Sequence, residues 1–218
     1  MKYKTYIFDF DYTLADATVG IAECVNYALN LLGLQSESCE NIRKTVGMKL
    51  HDTFFTLTGI SDEQVAETFF THFMQKADEV MTDNTVLFND TVPVLMRLRQ
   101  SGCNTAIVTT KFRYRISEVL TKYEIPELVD YIVGYEDVAD VKPSPEGLIN
   151  AIKHFDVDDH TVLFIGDSII DAQTAANAGV DFAAVITGTT TSQDFLALPH
   201  IFIANSLSEV IEYTALSS

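Results

Sequence analysis

The chain has 218 residues, 47% of them hydrophobic, and sets 14 Lys and Arg against 31 Asp and Glu for a formal net charge of −17. That length suits one domain, or one domain with a modest insertion, and so negative a surface excludes nucleic acid and anionic membranes as partners. Cys24, Cys39 and Cys103 include no C-x-x-C pair, which argues against a disulfide framework or a structural zinc site and for reduced thiols in a cytoplasmic protein.

The first strand is predicted over 6–10, YIFDF, an apolar run that ends in Asp9 with Asp11 two positions on. It starts so early that no signal peptide is expected, and no apolar run has the length of a membrane span. Alternation aims Asp9 and Asp11 to one side. Unpaired buried carboxylates are unfavourable, so the pair either sits in solvent or meets a cation. Residues 15–88 then break the rhythm: Val25, Leu29, Leu32 and the run Phe69, Phe70, Phe73, Met74 fall at helical spacing, with little that reads as strand. This is a helical insertion, suited to act as a lid or to pack on a sheet, and its Phe54, Phe55, Phe69, Phe70 and Phe73 read as a packing core.

Beyond it, helices are predicted at 89–101, 113–122, 145–155, 169–178 and, after the run HIFIAN, 206–216. Strands are predicted at 104–110, 130–135, 161–167 and 181–186. Continuous apolar strands alternating with helices imply an α/β fold, an open parallel sheet covered on both faces. In such sheets ligands bind beyond the carboxyl ends of the strands. There the sequence puts Asp9 and Asp11, then Thr109 and Thr110 followed by Lys111, then Lys142 in VKPSPEG, then Asp167 and Asp171 in GDSIID.

Each piece has an ordinary explanation: solvated strand-end acids, a helix cap at Asp167, an exposed helical Asp171, a plain strand Thr109 and a solvated Lys142. D-x-D-x-T and G-D-x-x-x-D would each arise by chance in about one chain in twenty of this length, and both together in under about one in four hundred. The combination is therefore the signal. The basic stretch KFRYR (111–115) is balanced between an attractor for anions and a solvated face. His72, His154, His160 and His200 have no ligand spacing.

Asp9-Phe10-Asp11-Tyr12-Thr13-Leu14, Thr109, Lys142 and Gly166-Asp167-Ser168 with Asp171 together resemble the four motifs of the haloacid dehalogenase superfamily of phosphotransferases. The resemblance spans nearly the whole chain and is closest to the phosphoglycolate phosphatase-like group. It implies a Rossmann-like core of 1–14 plus 89–218 with an all-helical cap at 15–88. It also implies a Mg²⁺-dependent phosphatase acting on a small phosphorylated metabolite, as a monomer or homodimer. Asp9 would be nucleophile and metal ligand, and Asp11 general acid and base, its backbone carbonyl also meeting the metal. Thr109 would donate to the phosphoryl group, Lys142 would balance charge, and Asp167 would ligate the metal. Asp171, counted with the metal set, would orient a water or Lys142.

Thr13, Thr110 and Lys111 are candidate substrate contacts, as are Lys49 and His51 of the insertion, for which plain surface residues are the ordinary alternative. Asp11 argues against dehalogenation and Gly166 against a mutase; both favour hydrolysis. Phosphoglycolate is the leading substrate, with pyrophosphate, nucleotides and sugar phosphates as rivals and a non-catalytic phospho-ligand binder as the different-class alternative. The chain departs from the usual pattern in Tyr12, where Gly is common, and in Thr110, where Asn is common.

Overall fold

The computed structural model describes residues 2–216. Met1–Ala15 with Leu87–Ser218 form one compact unit and Asp16–Val86 a second. The first carries the strands β1 (Thr5–Phe8), β4 (Asn104–Val108), β5 (Tyr131–Val133), β6 (Val162–Gly166), β7 (Asp181–Val185) and β8 (Phe202–Ala204). Its helices are α5 (Thr91–Gln100), α6 (Arg113–Lys122), α7 (Glu146–Phe155), α8 (Ile169–Ala178), the single turn α9 (Ser192–Phe195) and α10 (Leu207–Leu216). The second carries α1 (Thr18–Leu31), α2 (Cys39–Arg43), α3 (Leu50–Thr58) and α4 (Glu63–Val80). The two-residue strands β2 (Ala15–Asp16) and β3 (Val86–Leu87) pair with each other where the chain passes between the units.

Six strands run in the order β5-β4-β1-β6-β7-β8, and every pairing is parallel. The chain steps from β1 outward through β4 to β5, then crosses back to lay β6, β7 and β8 on the other side. The direction of winding therefore reverses beside β1, which opens a crevice at the carboxyl end of that strand. Register fixes what faces it: Phe8 lies opposite Ile107 of β4 and Ile165 of β6. Asp9, Thr109 and Asp167 thus emerge within about a residue of one another along the sheet edge.

Alternation along the strands divides the core. Tyr6, Phe8, Ile107, Leu163 and Ile165 pack on one face with Leu95 and Leu98 of α5, Ile116 and Leu120 of α6 and Val210 and Ile211 of α10. Ile7, Ala106, Val108, Phe164 and Phe182 pack on the other with Leu148 and Ile152 of α7 and Ala172 and Ala175 of α8. The helical unit has its own core of Cys24, Val25, Ala28, Leu29, Phe54, Phe69 and Phe73, with Phe55 at its margin.

The open parallel α/β sheet agrees with the sequence reading, and the helices at 113–122 and 169–178 occupy the expected residues. Four elements depart from it. HIFIAN contains a sixth strand, β8, of only three residues, pairing along one side with β7. The short β2–β3 pair and the turn α9 also escape a reading by periodicity, since none is long enough to repeat a period.

Candidate active site

Four charged side chains, three from loops and Asp171 from the first turn of α8, meet at the carboxyl end of β1. The Lys142 ammonium donates to Asp9 Oδ1 at 2.6 Å and to Asp171 Oδ1 at 2.6 Å. Lys142 reaches this point from the loop between β5 and α7. Its neighbour Pro143 follows a cis peptide bond. One carboxylate oxygen from each of Asp9, Asp167 and Asp171 lies within 4.8 Å of the others, and all three residues are buried.

Local chemistry holds Asp171 in place. Ser168 is the N-cap of α8: Asp171 N donates to Ser168 Oγ at 3.1 Å, while Ser168 N (3.1 Å) and Oγ (2.5 Å) donate to Asp171 Oδ2. This reciprocal box orients Oδ2 and leaves Oδ1 for Lys142. Asp171 is therefore no ordinary surface residue of a helix; it is wholly buried. Ser168, rather than Asp167, caps the helix, which leaves the Asp167 carboxylate available to the crevice.

Two glycines mark how tightly the carboxylates are enclosed. A Cβ on Gly166 would fall 2.5 Å from Asp171 Cβ, and one on Gly188, in the loop after β7, would overlap the Asp167 carboxylate. The same loop fastens the turn that follows β1, where Thr187 Oγ1 donates to Tyr12 O. Tyr12 has φ +62°, in the left-handed region, and its side chain is buried. That conformation accounts for the preference for Gly here; an L residue held in it is disfavoured by roughly 1–2 kcal/mol. Backbone bonds of Tyr12 N to Ala15 O (2.7 Å) and Leu14 N to Phe10 O (2.9 Å) help to hold the turn.

Three ionised carboxylates around one ammonium would bury two negative charges in excess. Burial pushes the Asp9 carboxyl up from 3.8 to about 7; Lys142 opposes this and Asp171 adds to it. Burial, then the Asp171 and Asp9 charges, raise Asp167 well above the carboxylate range. Burial alone would lower Lys142, but Asp171 and Asp9 overcome it and hold the ammonium charged. A cluster of hard oxygen donors with surplus negative charge matches a small divalent cation such as Mg²⁺.

The remaining sequence candidates are placed as follows. Asp11 pairs with Lys111: Nζ donates to Oδ1 at 2.7 Å, and both side chains are nearly buried. Thr13 is fully buried, its hydroxyl 3.5 Å from Asp167 Oδ1. Thr109, also buried, accepts from Lys111 N at 3.2 Å, and Thr110 is half-buried beside it. Thr109, Asp140, Val141 and Lys142 line a small cavity with Val108, Val133, Val138 and two glycines.

Lys49 and His51 lie in the helical unit. Lys49 is exposed at the start of α3. His51 Nε2 is 3.0 Å from Glu67, and its ring stacks on Phe70. In KFRYR each cation has a carboxylate partner: Asp11 for Lys111, Asp137 for Arg113 at 3.2 Å and Glu118 for Arg115 at 3.5 Å. Sequence reasoning assigned nothing to Ser168, Thr187 and Gly188. The spacing S-x-x-D before an apolar run does signal the capping box; nothing local marks a lone glycine in TGTTT as the wall of a site.

A parallel sheet that gathers three buried carboxylates and a lysine at its winding reversal defines the chain as an α/β enzyme rather than a binding or scaffolding module. Its sequence matches the model for haloacid dehalogenase-like hydrolases over residues 6–185, and the chain belongs to that family. It is similar to the pyrophosphatase PpaX of Bacillus cereus, 32% identical over 186 residues that cover 85% of this chain and 84% of the relative. Among solved structures it is similar to a haloacid dehalogenase-like hydrolase from Bacteroides fragilis, with 42% identity, a TM-score of 0.92 and coverage of 95% and 99% of the two chains. A predicted phosphoglycolate phosphatase from Haemophilus somnus has the same fold, with a TM-score of 0.89, 21% identity and coverage of 98% and 99%. No helix among the described residues is long and apolar enough to cross a membrane.

Proposed function

We propose that the protein hydrolyses a small phosphate ester or anhydride through a phosphorylated Asp9, with Mg²⁺ bound by Asp9, Asp167 and the backbone carbonyl of Asp11. The observation that carries this reading is Lys142 held between Asp9 and Asp171 at 2.6 Å each, beside Asp167. Mg²⁺, when bound, supplies positive charge beside the phosphoryl oxygens. Lys142 adds a fixed charge at Asp9 Oδ1, which favours the ionised form of that carboxylate and orients it. Asp9 attacks phosphorus, a P–O bond forms to its carboxylate, and the bond to the leaving oxygen breaks. Asp11 passes a proton to that oxygen; it then takes one from the water that cleaves the aspartyl-phosphate, releasing phosphate and restoring Asp9. Thr109 donates its hydroxyl hydrogen to a phosphoryl oxygen. Asp171 acts through Lys142, and Thr13 and Gly188 keep Asp167 in place.

Pyrophosphate comes first among substrates, ahead of phosphoglycolate, because the relative that spans most of this chain at 32% identity is named a pyrophosphatase. The helical unit at 15–88 is read as a cap that selects substrate, the protein as cytoplasmic, and the working form as a monomer or homodimer. The test is phosphate release from pyrophosphate, phosphoglycolate, nucleotides and sugar phosphates. Activity is expected with Mg²⁺, lost in EDTA and not restored by Ca²⁺, whose longer bonds and larger coordination number disturb in-line geometry. Full turnover in EDTA would remove the metal from the reading, and silence on the whole panel would remove the reading itself.

A further inference from the structure

Lys111 stands apart from the other lysine of the crevice. Lys142 divides its ammonium between two buried carboxylates, whereas Lys111 has a single carboxylate partner, Asp11 at 2.7 Å. An ammonium carries three N–H donors, so one such bond leaves donors for a second acceptor. The Lys111 side chain is 11% exposed, its ammonium 5.5 Å from the centre of the Phe10 ring. The group is thus largely desolvated, which strengthens its attraction for an anion. Its backbone is anchored too, through Lys111 N to Thr109 Oγ1 at 3.2 Å.

The position matters as much as the charge. On the proposed reading, Asp11 delivers a proton to the leaving oxygen, so a cation in contact with Asp11 lies within reach of the leaving-group side of the substrate. The chain carries a formal charge of −17, and a substrate with a second anion needs a local cation to be retained. Arg113 and Arg115 are engaged with Asp137 and Glu118, and Lys142 with Asp9 and Asp171.

We propose that Lys111, adjoining Asp11 at the carboxyl end of β4, is the specificity-determining residue that binds a second anionic group on the leaving-group side of the substrate, a phosphate or a carboxylate. The proposal rests on the phosphatase reading above and names its substrate class: phosphate compounds whose leaving part carries an anionic group of its own before the bond breaks. Asp11 occupies one Lys111 donor throughout, and the substrate anion takes another.

The experiment compares wild type, Lys111→Met and Lys111→Arg with Mg²⁺ on pyrophosphate and on p-nitrophenyl phosphate, whose leaving group has no separate anionic substituent. The expected result is a fall of about 10- to 100-fold in the ratio of the two kcat/KM values for Lys111→Met, the loss of one hydrogen bond to a charged group. The fall should lie chiefly in KM for pyrophosphate, and Lys111→Arg should recover most of it. A residue that merely positions Asp11 would lower both substrates together, and an unchanged ratio overturns the proposal.

Calorimetric binding of pyrophosphate and of orthophosphate to Asp9→Asn, with and without Lys111→Met, reads the same contact without turnover. Selective weakening of pyrophosphate supports the proposal, and equal weakening of both ligands or no binding of pyrophosphate overturns it. If wild type turns over neither substrate while the binding difference persists, the phosphatase reading fails and the anion contact stands.

Discussion

The two units of this chain both bury threonine hydroxyls against main-chain carbonyls, but only the sheet unit gathers buried charges as well. In the helical unit the buried polar residues among those described are Thr45, Thr53 and Thr85. Each hydroxyl donates to a main-chain carbonyl: Ile42, Thr45 and Met81 respectively. Its charged pairs, Lys44–Glu40, Lys76–Glu79 and His51–Glu67, lie toward the surface. The sheet unit also buries Asp9, Asp167, Asp171 and Lys142 together at one strand edge. A neutral hydroxyl satisfied by a carbonyl serves stability alone. Surplus buried charge destabilises a fold unless something offsets it, and where it persists at a strand edge it marks chemistry. On the proposed reading, the difference places the chemistry in the sheet unit and gives the helical unit the smaller effects of substrate choice.

The hardest way to break that contrast is to remove its central charge. Asp9→Asn is expected to lose turnover on every ester by on the order of 10⁴-fold or more, as for other nucleophiles. Asp11→Asn keeps the nucleophile and should lose about 10²–10⁴-fold, more on an alkyl phosphate than on a p-nitrophenyl ester that leaves as a stable anion. On the proposed reading hydrolysis of the intermediate also needs Asp11, so mass spectrometry of acid-quenched Asp11→Asn should find one added phosphoryl group on Asp9. Label elsewhere, or equal slowing of both esters with no label, would contradict the assigned roles.

Gly188→Ala sharpens the contrast without touching a charge. Its Cβ would enter the space of the Asp167 carboxylate, so Asp167 or the loop after β7 must shift. We expect the Mg²⁺ concentration for half-maximal activity to rise by about 10- to 100-fold, the scale on which residues supporting a metal ligand act. Unchanged Mg²⁺ dependence would show that Asp167 does not need this wall.

The surplus charge should also be visible in stability. Asp9 is raised from 3.8 to about 7 in the folded protein, and Asp167 is raised with it. Between those values the folded state holds protons that the unfolded chain has released, so stability is greatest below about pH 4 on this account and falls as pH rises toward 7. Scanning calorimetry in EDTA should give a lower Tm at pH 7.5 than at pH 5. Added Mg²⁺ should recover more at pH 7.5, where the carboxylates are charged. A Tm in EDTA that rises from pH 5 to 7.5 would mean that these carboxylates are not what limits stability.

The smallest effects belong to the helical unit. Lys49→Ala is expected to shift relative rates across substrates by only a few fold. His51→Ala removes an exposed pair with Glu67 and should change unfolding free energy by no more than about 1 kcal/mol, as surface pairs do. Uniform loss on every substrate for either variant would contradict a role in selection.

Much of this was legible in the sequence where the signal is local. Apolar runs at β1, β4 and β6 and the helical spacing of α6 and α8 are set by neighbouring residues, and both are found where expected. Asp9 and Asp167 stand out because they end or follow such runs, whereas Lys142 stands out only through its place in the order of motifs. Elements too short to stand out as a periodic or extended apolar run were missed: β8 has three residues and β2 and β3 two each. Gly188 and Thr187 were missed for a different reason. Their importance lies in contacts with Asp167 and Tyr12, and nothing around them in TGTTT records that.

The sequence by itself determined the alternation of the longer strands and helices, the largely helical character of the segment between β1 and α5, and the acids at the strand ends. Alternation, helical period and charge are properties of neighbouring residues and can be read without a fold. Only the tertiary structure decided which charges share a partner. Lys142 meets Asp9 across 133 residues of chain, and Lys111 meets Asp11 across 100. Those distances are set by the register of β1 against β4 and β6 and by the crossover from β5 back to β6, and no local pattern encodes either. The same register places a cation against Asp11 and a glycine against Asp167, because parallel strands bring their loops to one edge whatever their separation along the chain.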